Sequence, residues 1–459
     1  MGIDKVYNPN EIENKWLKKW DKENLFKSVP DEREAYTIVI PPPNVTGILH
    51  MGHMLNNTIQ DILIRRARLK GLNACWVPGT DHASIATEAK VVKMLKEKGI
   101  KKSDISRDEF LTYAWDWTEK HGGLILNQLK RIGCSCDWDR TKFTLDSDLS
   151  ESVIDTFIKL FDEGYLYRDK KIVNWDPEAL TTLSNEEVIY KEEETKLFYL
   201  KYQIVDSKDY LTVATTRPET IYGDTAVAVN PDDNRYKNLK NKKLIVPLVG
   251  REVPIVFDSS VEIDFGTGCL KVTPAHSEKD FIIGKNNELE IIDIFNDDAT
   301  INHHGKKYQA LDRFEAKKQI VNDLTEQGLI SKTESYTHNI ALSERTNSVV
   351  EPKLSLQWFI KMKKIAEPAI DAVVSGDIKF YPKKYINTYK NWMENIRDWN
   401  ISRQLYWGHR IPVYYLKNDN SKFVVSKNVK DALVKFKSKF NIELTVDDVE
   451  QDNDVLDTW

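Results

Sequence analysis

The sequence predicts an α/β protein in which a β-rich region interrupts the fold. Two observations indicate the α/β part, because a strand-like run at 35–40 and a second one ending near Trp76 are each followed by a short loop and a helical pattern. The third observation is a change of pattern at 191–196. From there to about residue 340, short alternating segments are separated by Gly, Pro and Asp, which is typical of a β-rich domain.

The first elements are a helix, a strand and a second helix. Residues 8–11 resemble a helix start, and the strand-like run 35–40 leads through the loop 41–47 into a helical pattern at His50. Gly71 stands where a C-terminal cap belongs. Apolar residues at helical spacing predict one buried face on each helix: Ile12, Trp16 and Trp20 on the first, and Leu55, Ile59, Ile62 and Leu63 on the second.

The start of the second helix carries the tetrapeptide His50-Met51-Gly52-His53. A strand that feeds a helix through a Gly-bearing loop favours phosphate binding, because free N–H groups at the helix start and imidazole donors converge there. We expect His50, Gly52 and His53 to bind ATP, and the two histidines to stabilise charge on the triphosphate. Taken alone, this tetrapeptide could equally be a surface loop or a chance metal pair.

A second motif, Trp76 to Glu88, follows the next apolar run, and its core is Pro78-Gly79-Thr80-Asp81-His82. Together the two motifs resemble those of class I aminoacyl-tRNA synthetases, and within the class they resemble the valyl type. Two positions depart from the usual valyl form: Ser84 replaces Gly, and Glu88 replaces Gln. The resemblance implies a Rossmann-type nucleotide-binding fold interrupted by an editing domain.

The resemblance extends over most of the chain. Segments similar to the valyl type include Asn174–Pro177, Ser343–Arg345, Leu356–Phe359, Ile401–Gln404 and Trp407–Pro412. The last residues, Asp454 to Trp459, look like the beginning of a longer motif, so we expect this chain to be part of a longer protein, lacking the Lys-Met-Ser-Lys-Ser-type loop. We expect the division 1–190, 191–340 and 341–459, with Val153, Ile154, Phe157, Ile158 and Phe161 forming a core stripe in the first part.

The β-rich region contains Thr215–Thr220 and a second motif from Gly266 to Asp280, which resemble the editing site of valyl, isoleucyl and leucyl enzymes. An apolar pocket rejects the valine isostere threonine poorly, for which valyl enzymes are the known example. The resemblance assigns the editing site to Thr216, Arg217, Thr220, Phe265, Lys271, Thr273 and Asp280. Ser277 replaces the usual Asp, which puts one carboxylate in doubt. The alternative for the first motif is a strand, a turn and a helix cap.

For the amino-acid pocket, the resemblance implies Pro42 and Asn44 at its floor and rim, Asp81 as partner of the substrate ammonium, and Trp459 at its side. The alternative for Asp81 is a helix N-cap, since Asp after a Gly-Thr turn suits that position. ATP with Mg²⁺ is implied, because the pyrophosphate leaving group needs its charge neutralised.

The net charge limits how this chain can bind nucleic acid. At −5 with a pI near 6.1, the chain is not a globally basic nucleic-acid binder, so contact with tRNA must be local. The candidate is a cationic stretch with aromatic residues between 361 and 397, for which a solvated helix face is an equal alternative. Its members are Lys361, Lys363, Lys364, Lys383, Lys384, Tyr385, Tyr389, Lys390, Trp392 and Arg397.

Four cysteines in 459 residues indicate structural thiols in a reducing compartment. We expect no structural zinc, because Cys134 and Cys136 lack a second pair. His303 and His304 look like a metal pair, but adjacent imidazoles without further ligands are expected to be loop residues. No run reaches transmembrane length, and we expect a cytoplasmic monomer.

The resemblance implies a ligase that activates valine with ATP, transfers it to tRNA(Val), and hydrolyses mischarged threonyl-tRNA(Val). Three alternatives stay open: a portion with only editing deacylase or tRNA-binding activity, an isoleucyl-type relative, and a scaffold that only binds RNA. His50, His53 and Asp81 argue against the scaffold, because RNA binding alone does not require them.

Overall fold

The computed structural model describes residues 6–458, and its contacts divide the chain into two compact units. The first unit contains the residues up to Tyr165 and those from Gln404 onward, and the second unit is Leu166–Arg403. The predicted domain boundaries at residues 190 and 340 stay a prediction.

The N-terminal part of the first unit alternates strands and helices, as the sequence predicts. Strands β1 and β2 are parallel and in register from Ala35 opposite Asn73 to Val39 opposite Val77. Gly71 follows the second helix with φ +81°, a conformation that favours glycine. The elements are α1 (Pro9–Lys22), β1 (Ala35–Val39), α2 (Met51–Leu69), β2 (Asn73–Val77), β3 (Gly79–Thr80), α3 (Ser84–Glu97), α4 (Arg107–Arg131), β4 (Lys142–Phe143) and α5 (Ser147–Asp162).

The predicted buried face of α2 is wrong, although the helix itself is confirmed. Leu55, Ile59, Ile62 and Leu63 are 40–66% exposed. The helix instead buries a face with Asn57, Gln60, Ile64 and Ala67. Gln60 accepts a hydrogen bond from Trp76 Nε1 at 3.1 Å, and Asn57 donates one to the His53 carbonyl at 2.8 Å. Because each of these two amides makes a hydrogen bond, the buried face can carry polar residues, and a search for apolar residues alone does not identify it.

The predicted faces of the other two helices are partly confirmed. Helix α1 begins at Pro9 as expected, but it has no buried residue, and Trp16 is 41% exposed. In α5, Phe157 is buried, and the rest of the predicted stripe is half-buried.

The second unit is dominated by β-strands. Its largest sheet has the strand order β12-β9-β11-β10-β7-β13, with β8 also paired to β7, and a smaller sheet has the order β15-β14-β5-β6. The strands and helices are β5 (Leu166–Asp176), β6 (Thr181–Leu183), β7 (Val188–Ile204), β8 (Tyr210–Thr215), β9 (Ala226–Val229), β10 (Lys243–Ile245), β11 (Glu252–Phe257), β12 (Cys269–Val272), α6 (Glu278–Asn286), α7 (Arg313–Glu326), β13 (Ile330–Ser343), β14 (Glu351–Ile360), α8 (Met362–Val374), α9 (Tyr385–Glu394), β15 (Trp399–Asn400) and β16 (Ser402–Arg403).

A continuous apolar core supports the large sheet. It includes Leu200, Val213, Ile221 and Val227, all fully buried. The long strands β7 and β13 are antiparallel from Ile330 opposite Leu200 to Ser343 opposite Val188, with one irregularity near Ile330. The alternating segments that the sequence shows at 210–216, 225–229 and 253–257 correspond to β8, β9 and β11, whereas of a fourth segment at 244–249 only the start belongs to a strand, β10.

The last part of the chain returns to the first unit. Strand β18 lies between β19 and β20, and β17 pairs with β21. The elements are β17 (His409–Arg410), β18 (Val413–Leu416), β19 (Asp419–Val425), α10 (Val429–Phe440), β20 (Val449–Gln451) and β21 (Val455–Leu456). Trp407 is 1% exposed and packs with Val91, Leu95 and Phe110 of α3 and α4. Among the helices of residues 6–458, none is long and apolar enough to cross a membrane.

The cysteines are free thiols. Cys134, Cys136 and Cys269 are buried, and Cys75 is half-buried. Burial raises the pKa of Cys134 to about 12, so this thiol stays protonated at neutral pH, as a structural residue does.

Candidate functional site

The first candidate site, which we call the activation site, lies at the start of α2. His50 is the N-cap: its Nδ1 accepts from the Gly52 N–H at 3.1 Å, and His53 Nδ1 accepts from the His50 N–H at 3.2 Å. The two rings are 4.0 Å apart. A Cβ on Gly52 would lie 2.9 Å from the His50 ring, so a side chain here would displace it.

These hydrogen bonds fix the protonation pattern of both imidazoles. Because each Nδ1 accepts a backbone N–H, each neutral ring carries its proton on Nε2. Burial, with the neighbouring His50 adding to it, lowers the pKa of His53. The helix start therefore presents two Nε2–H donors beside its free backbone N–H groups, which suits phosphate oxygens.

The loops that carry Asn44 and Asp81 are brought together. Val45 N–H donates to the Asp81 carbonyl at 3.0 Å, and Asp81 N–H donates to the Pro43 carbonyl at 2.9 Å. Asn44 and Pro42 are exposed, and the Asp81 side chain is 33% exposed. Trp459 lies outside the described residues.

Asp81 is not the cap of α3. The N-cap is Ala83, with φ +45° and no side-chain cap. Asp81 Oδ1 accepts instead from the Ala83 N–H at 3.1 Å and from Thr144 Oγ1 at 3.0 Å. The N-cap interpretation was wrong because the chain makes one further turn before the helix begins. The Asp81 carboxylate is thus held on one oxygen and accessible at the surface.

A buried histidine lies behind Asp81. His82 is 2% exposed, its Nδ1 is 2.6 Å from Thr144 Oγ1, and its ring is 5.1 Å from that of His409. Burial lowers the pKa of His82 to about 4, and burial likewise lowers the pKa of His409 to about 4. Trp407 Nε1 donates to the His82 carbonyl at 2.8 Å. Both imidazoles are therefore neutral structural groups at neutral pH.

Of the two positions that depart from the valyl pattern near Asp81, Glu88 holds the returning chain and Ser84 lies against it. Glu88 Oε2 accepts the N–H groups of Tyr406 and Trp407 at 2.8 and 2.9 Å. Gly408 has φ +149°, and a Cβ there would lie 2.9 Å from Ser84 Oγ. Sequence reasoning missed this role. A signal was present, because Glu88 shares a helical stripe with buried apolar residues: Ile85, Val91 and Leu95.

The second candidate site, which we call the editing site, is a cluster of buried polar side chains in the second unit. Lys271 Nζ donates to Thr220 Oγ1 at 2.6 Å, to Thr273 Oγ1 at 2.6 Å and to Asp224 Oδ1 at 2.9 Å. Thr273 Oγ1 donates to the same oxygen of Asp224 at 2.6 Å, and Tyr202 OH donates to the other at 2.6 Å. Asp224 is 0% exposed and joins the cluster. Sequence reasoning did not include it.

Asp280 lies at the other side of Thr273. Its Oδ2 accepts the Thr273 N–H at 2.8 Å, and its Oδ1 accepts from Ser277 Oγ at 3.1 Å. Ser277 also caps α6 by accepting the Asp280 N–H at 3.3 Å. Burial raises the pKa of Asp280, against the opposing effect of Lys271. Ser277 therefore supports the carboxylate directly.

Arg217 is held by carboxylates from two elements. It donates to Glu219 Oε1 at 2.9 Å and to Glu351 Oε1 of β14 at 2.6 Å. Burial works against its charge, but Glu351 and Glu219 hold the pKa of Arg217 above its usual value. Arg313 Nη1 donates to the second oxygen of Glu351 at 2.7 Å. Both oxygens of the Glu351 carboxylate therefore accept hydrogen bonds from arginines. Sequence reasoning did not include Glu351 in this site.

The remaining predicted editing residues are the accessible ones. Phe265 is 45% exposed, and its ring is edge-on to Tyr336 at 5.9 Å. Thr216 is half-buried beside Arg217. The structure thus separates a buried network around Lys271 from a few residues at its surface.

The known proteins that this chain resembles are aminoacyl-tRNA synthetases. A family model described as tRNA synthetases class I (I, L, M and V) matches residues 15–459. Proteins named valine–tRNA ligase are similar over 100% of this chain, from Christiangramia forsetii at 58% identity and from Parabacteroides distasonis at 59%, each over 52% of the relative's length. The chain spans about half the length of the curated relatives it matches.

A solved structure is also similar. It is the ternary LeuRS–tRNA–LeuAMS complex of Agrobacterium radiobacter K84, with a TM-score of 0.46 at 16% identity, and the match covers 98% of this chain and 58% of that chain.

Proposed function

The chain belongs to the class I tRNA synthetases of the I, L, M and V group, and from that premise we propose that the protein activates valine with ATP and transfers it to tRNA(Val). The observation that carries the amino-acid assignment is the identity of 58–59% to valine–tRNA ligases along the whole chain. The partly exposed Asp81 carboxylate beside Asn44 supports the binding of an amino acid, since a substrate ammonium needs a negative partner.

In the proposed activation step, ATP enters as its Mg²⁺ complex. The two Nε2–H donors of His50 and His53 contact triphosphate oxygens, and the Gly52 backbone allows the close approach. These donors act mainly on charge that increases in the transition state. Asp81 orients the valine ammonium so that the carboxylate of valine can attack the α-phosphorus, and the bond from that phosphorus to the bridging oxygen breaks as pyrophosphate leaves. Pro42, Asn44 and Trp459 are proposed to line the side-chain pocket.

We propose that the editing site hydrolyses threonyl-tRNA(Val). A threonine hydroxyl can exchange hydrogen bonds with a polar cluster where a valine methyl cannot, and the cluster around Lys271 offers such groups. Thr216 and Phe265 are accessible enough to contact the ester, and Arg217 is proposed to act beside Thr216 while it stays bonded to Glu219 and Glu351. Thr220, Thr273 and Asp280 are proposed to set the position and charge of Lys271 and of the loop around it.

We propose that tRNA contacts a basic surface formed by α8 and α9, residues 361–397. This segment carries eight Lys or Arg and four Asp or Glu, in a chain whose net charge is −5. Tyr381, Tyr385 and Trp392 are 50–84% exposed and can stack on unpaired bases. Tyr389 has a different role, because its OH donates to the Ala369 carbonyl at 3.0 Å and holds α9 on α8.

We propose a reducing, cytoplasmic setting for the protein, with which its free thiols agree.

Valine-dependent ATP–pyrophosphate exchange by the full-length protein tests the activation proposal, with isoleucine and threonine as comparison substrates. Valine should give the highest kcat/KM, threonine a lower one and isoleucine very little. A preference for isoleucine would identify an isoleucyl-type enzyme instead. Replacing Asp81 by Ala should raise KM for valine, since a charge-assisted hydrogen bond is worth about 1.5–3 kcal/mol.

Deacylation of threonyl-tRNA(Val) and valyl-tRNA(Val) tests the editing proposal separately. The threonyl ester should be hydrolysed much faster than the valyl ester. The seven predicted editing residues all lie within Leu166–Arg403. Their location in one unit favours a second candidate function, an editing deacylase that works without efficient valine activation. The 459-residue chain alone is expected to deacylate threonyl-tRNA(Val) better than it forms valyl-adenylate. Equal rates on both esters would contradict the proposed threonyl-tRNA deacylase activity, both for the full-length protein and for the 459-residue chain.

A further inference from the structure

A basic cavity in the second unit is used by neither proposed reaction. Its volume is about 370 Å³, and it is lined by Tyr222, Val249, Gly250, Arg251, His303, His304 and Lys306. None of these lining residues in the described part of the chain carries a carboxylate. The pair of adjacent histidines that the sequence presents as a possible metal site therefore lies beside an arginine and a lysine.

The charges of this cavity disfavour a metal ion. The imidazole rings of His303 and His304 are 4.0 Å apart, but a cation bound to them would meet Arg251 and Lys306. Among the described residues, no group of three His, Cys, Asp or Glu side chains could hold a metal. Donors with positive charge and no acid among them match an anion with several oxygen atoms.

Arg251 has unused hydrogen-bonding capacity here. Its Nη2 donates to the backbone carbonyls of Tyr222 at 2.9 Å and Asp224 at 2.6 Å. Its Nε is buried and has no hydrogen-bond partner among the described residues.

The backbone also presents Lys306 in an unusual way. Its φ of +50° and ψ of −115° interrupt the short helical segment His303–Tyr308. Gly305, just before it, leaves no room for a side chain, because a Cβ would lie 2.0 Å from Ile301 Cγ2. Lys306 itself is exposed, and within residues 6–458 its ammonium makes one long hydrogen bond, 3.5 Å to the Val249 carbonyl. The ammonium is therefore available to a ligand.

From this geometry we propose that the cavity formed by Arg251, His303, His304 and Lys306 binds a phosphate group. Two sources share that chemistry: a free phosphate anion and a phosphodiester of an RNA backbone. The Arg251 guanidinium donates to the backbone carbonyl of Asp224, and the Asp224 side chain belongs to the buried cluster around Lys271. Arg251 therefore connects an occupant of the cavity to that cluster. This site is independent of the proposed aminoacylation, and its test does not require that reaction.

The test compares inorganic phosphate with RNA on the full chain. Phosphate binding is measured by ³¹P line broadening, and unacylated tRNA binding by filter retention at fixed salt. Lys306→Gln and His304→Gln should each weaken phosphate binding about tenfold, the loss of one charge-assisted hydrogen bond. The matched control is Lys307→Gln, since Lys307 pairs with Asp323 at 2.5 Å outside the cavity.

Each outcome decides between the sources. Weaker binding of both phosphate and tRNA in the cavity variants, but not in the control, identifies an RNA phosphodiester. Weaker binding of phosphate alone identifies a free anion. Absence of saturable phosphate binding together with unchanged tRNA binding would overturn the proposal, as would an equal loss in Lys307→Gln. Circular dichroism melts of each variant establish that the fold is retained.

Discussion

The activation site and the editing site hold their polar groups in opposite ways. At the activation site, His50 and His53 are bonded to backbone N–H groups near the surface of α2. At the editing site, Lys271, Asp224 and Thr273 are bonded to one another in the interior. Side chains of the first site can therefore be changed with little effect on folding. In the second site, the proposed function and the stability depend on the same hydrogen bonds.

Replacement of Asp224 by Ala tests the buried side of this comparison and should have the largest effect. Lys271 would lose the carboxylate to which it is ion-paired at 2.9 Å, and breaking a buried pair by removing one partner costs about 3–5 kcal/mol. Amide hydrogen exchange resolves the second unit from the first, and protection in β9 and β12 should fall accordingly. Asp232→Ala is the matched control, because residue 232 is exposed. Equal protection in the two variants would show that Asp224 does not hold the cluster.

Substitution of His53 tests the surface side. His53→Ala should slow valine-dependent pyrophosphate exchange about 10²- to 10³-fold, the usual loss for one transition-state donor. Loss of the helix cap should cost only about 1 kcal/mol of stability. His53→Gln separates these effects, since Gln at this position can still accept the His50 N–H. It should restore the stability and leave exchange slow, and recovered exchange in His53→Gln would remove the imidazole from catalysis.

The sequence predicted the parts of both sites that depend on local geometry. Strand, loop and helix around His50 follow from periodicity and from Gly71, and the strands β8, β9 and β11 follow from alternation. What it did not predict depends on packing between distant segments. Asp224 and Glu351 complete the editing site through contacts that residue spacing does not encode. The exposed stripe of α2 was misassigned for the same reason, because a helix with two partly apolar faces buries the one that finds partners.

The histidine behind the activation site shows where the comparison breaks down. His82 is as buried as the editing cluster, and its pKa is near 4 in the folded chain. An unfolded chain takes up the proton near pH 6.5. The stabilisation is therefore fully present above pH 6.5 and is lost as the pH falls toward 4, by about 3 kcal/mol for this group.

Hydrogen exchange in α3 and α4 between pH 7.5 and pH 4.5 measures this loss. His82→Asn keeps a donor for Thr144 Oγ1, whose own proton goes to Asp81, but has no titrating ring, so the stability of the variant should depend less on pH in this range. His409 continues to titrate in the variant and sets the slope that remains. An identical slope in the wild type and in His82→Asn would mean that His82 is not neutral in the folded state.

The smallest effect is expected at Ser277, where the chain departs from the valyl pattern. Ser277→Ala removes both the cap of α6 and the hydrogen bond to Asp280 Oδ1, and a cap of this kind is worth about 1 kcal/mol. Because the Thr273 N–H still binds Asp280 Oδ2, the carboxylate should stay in place while threonyl-tRNA deacylation falls a few-fold. Ser277→Thr keeps the hydroxyl and should retain both stability and deacylation. If Ala and Thr reduce deacylation equally, the hydroxyl is not what supports Asp280, and the buried cluster tolerates surface changes as readily as the activation site does.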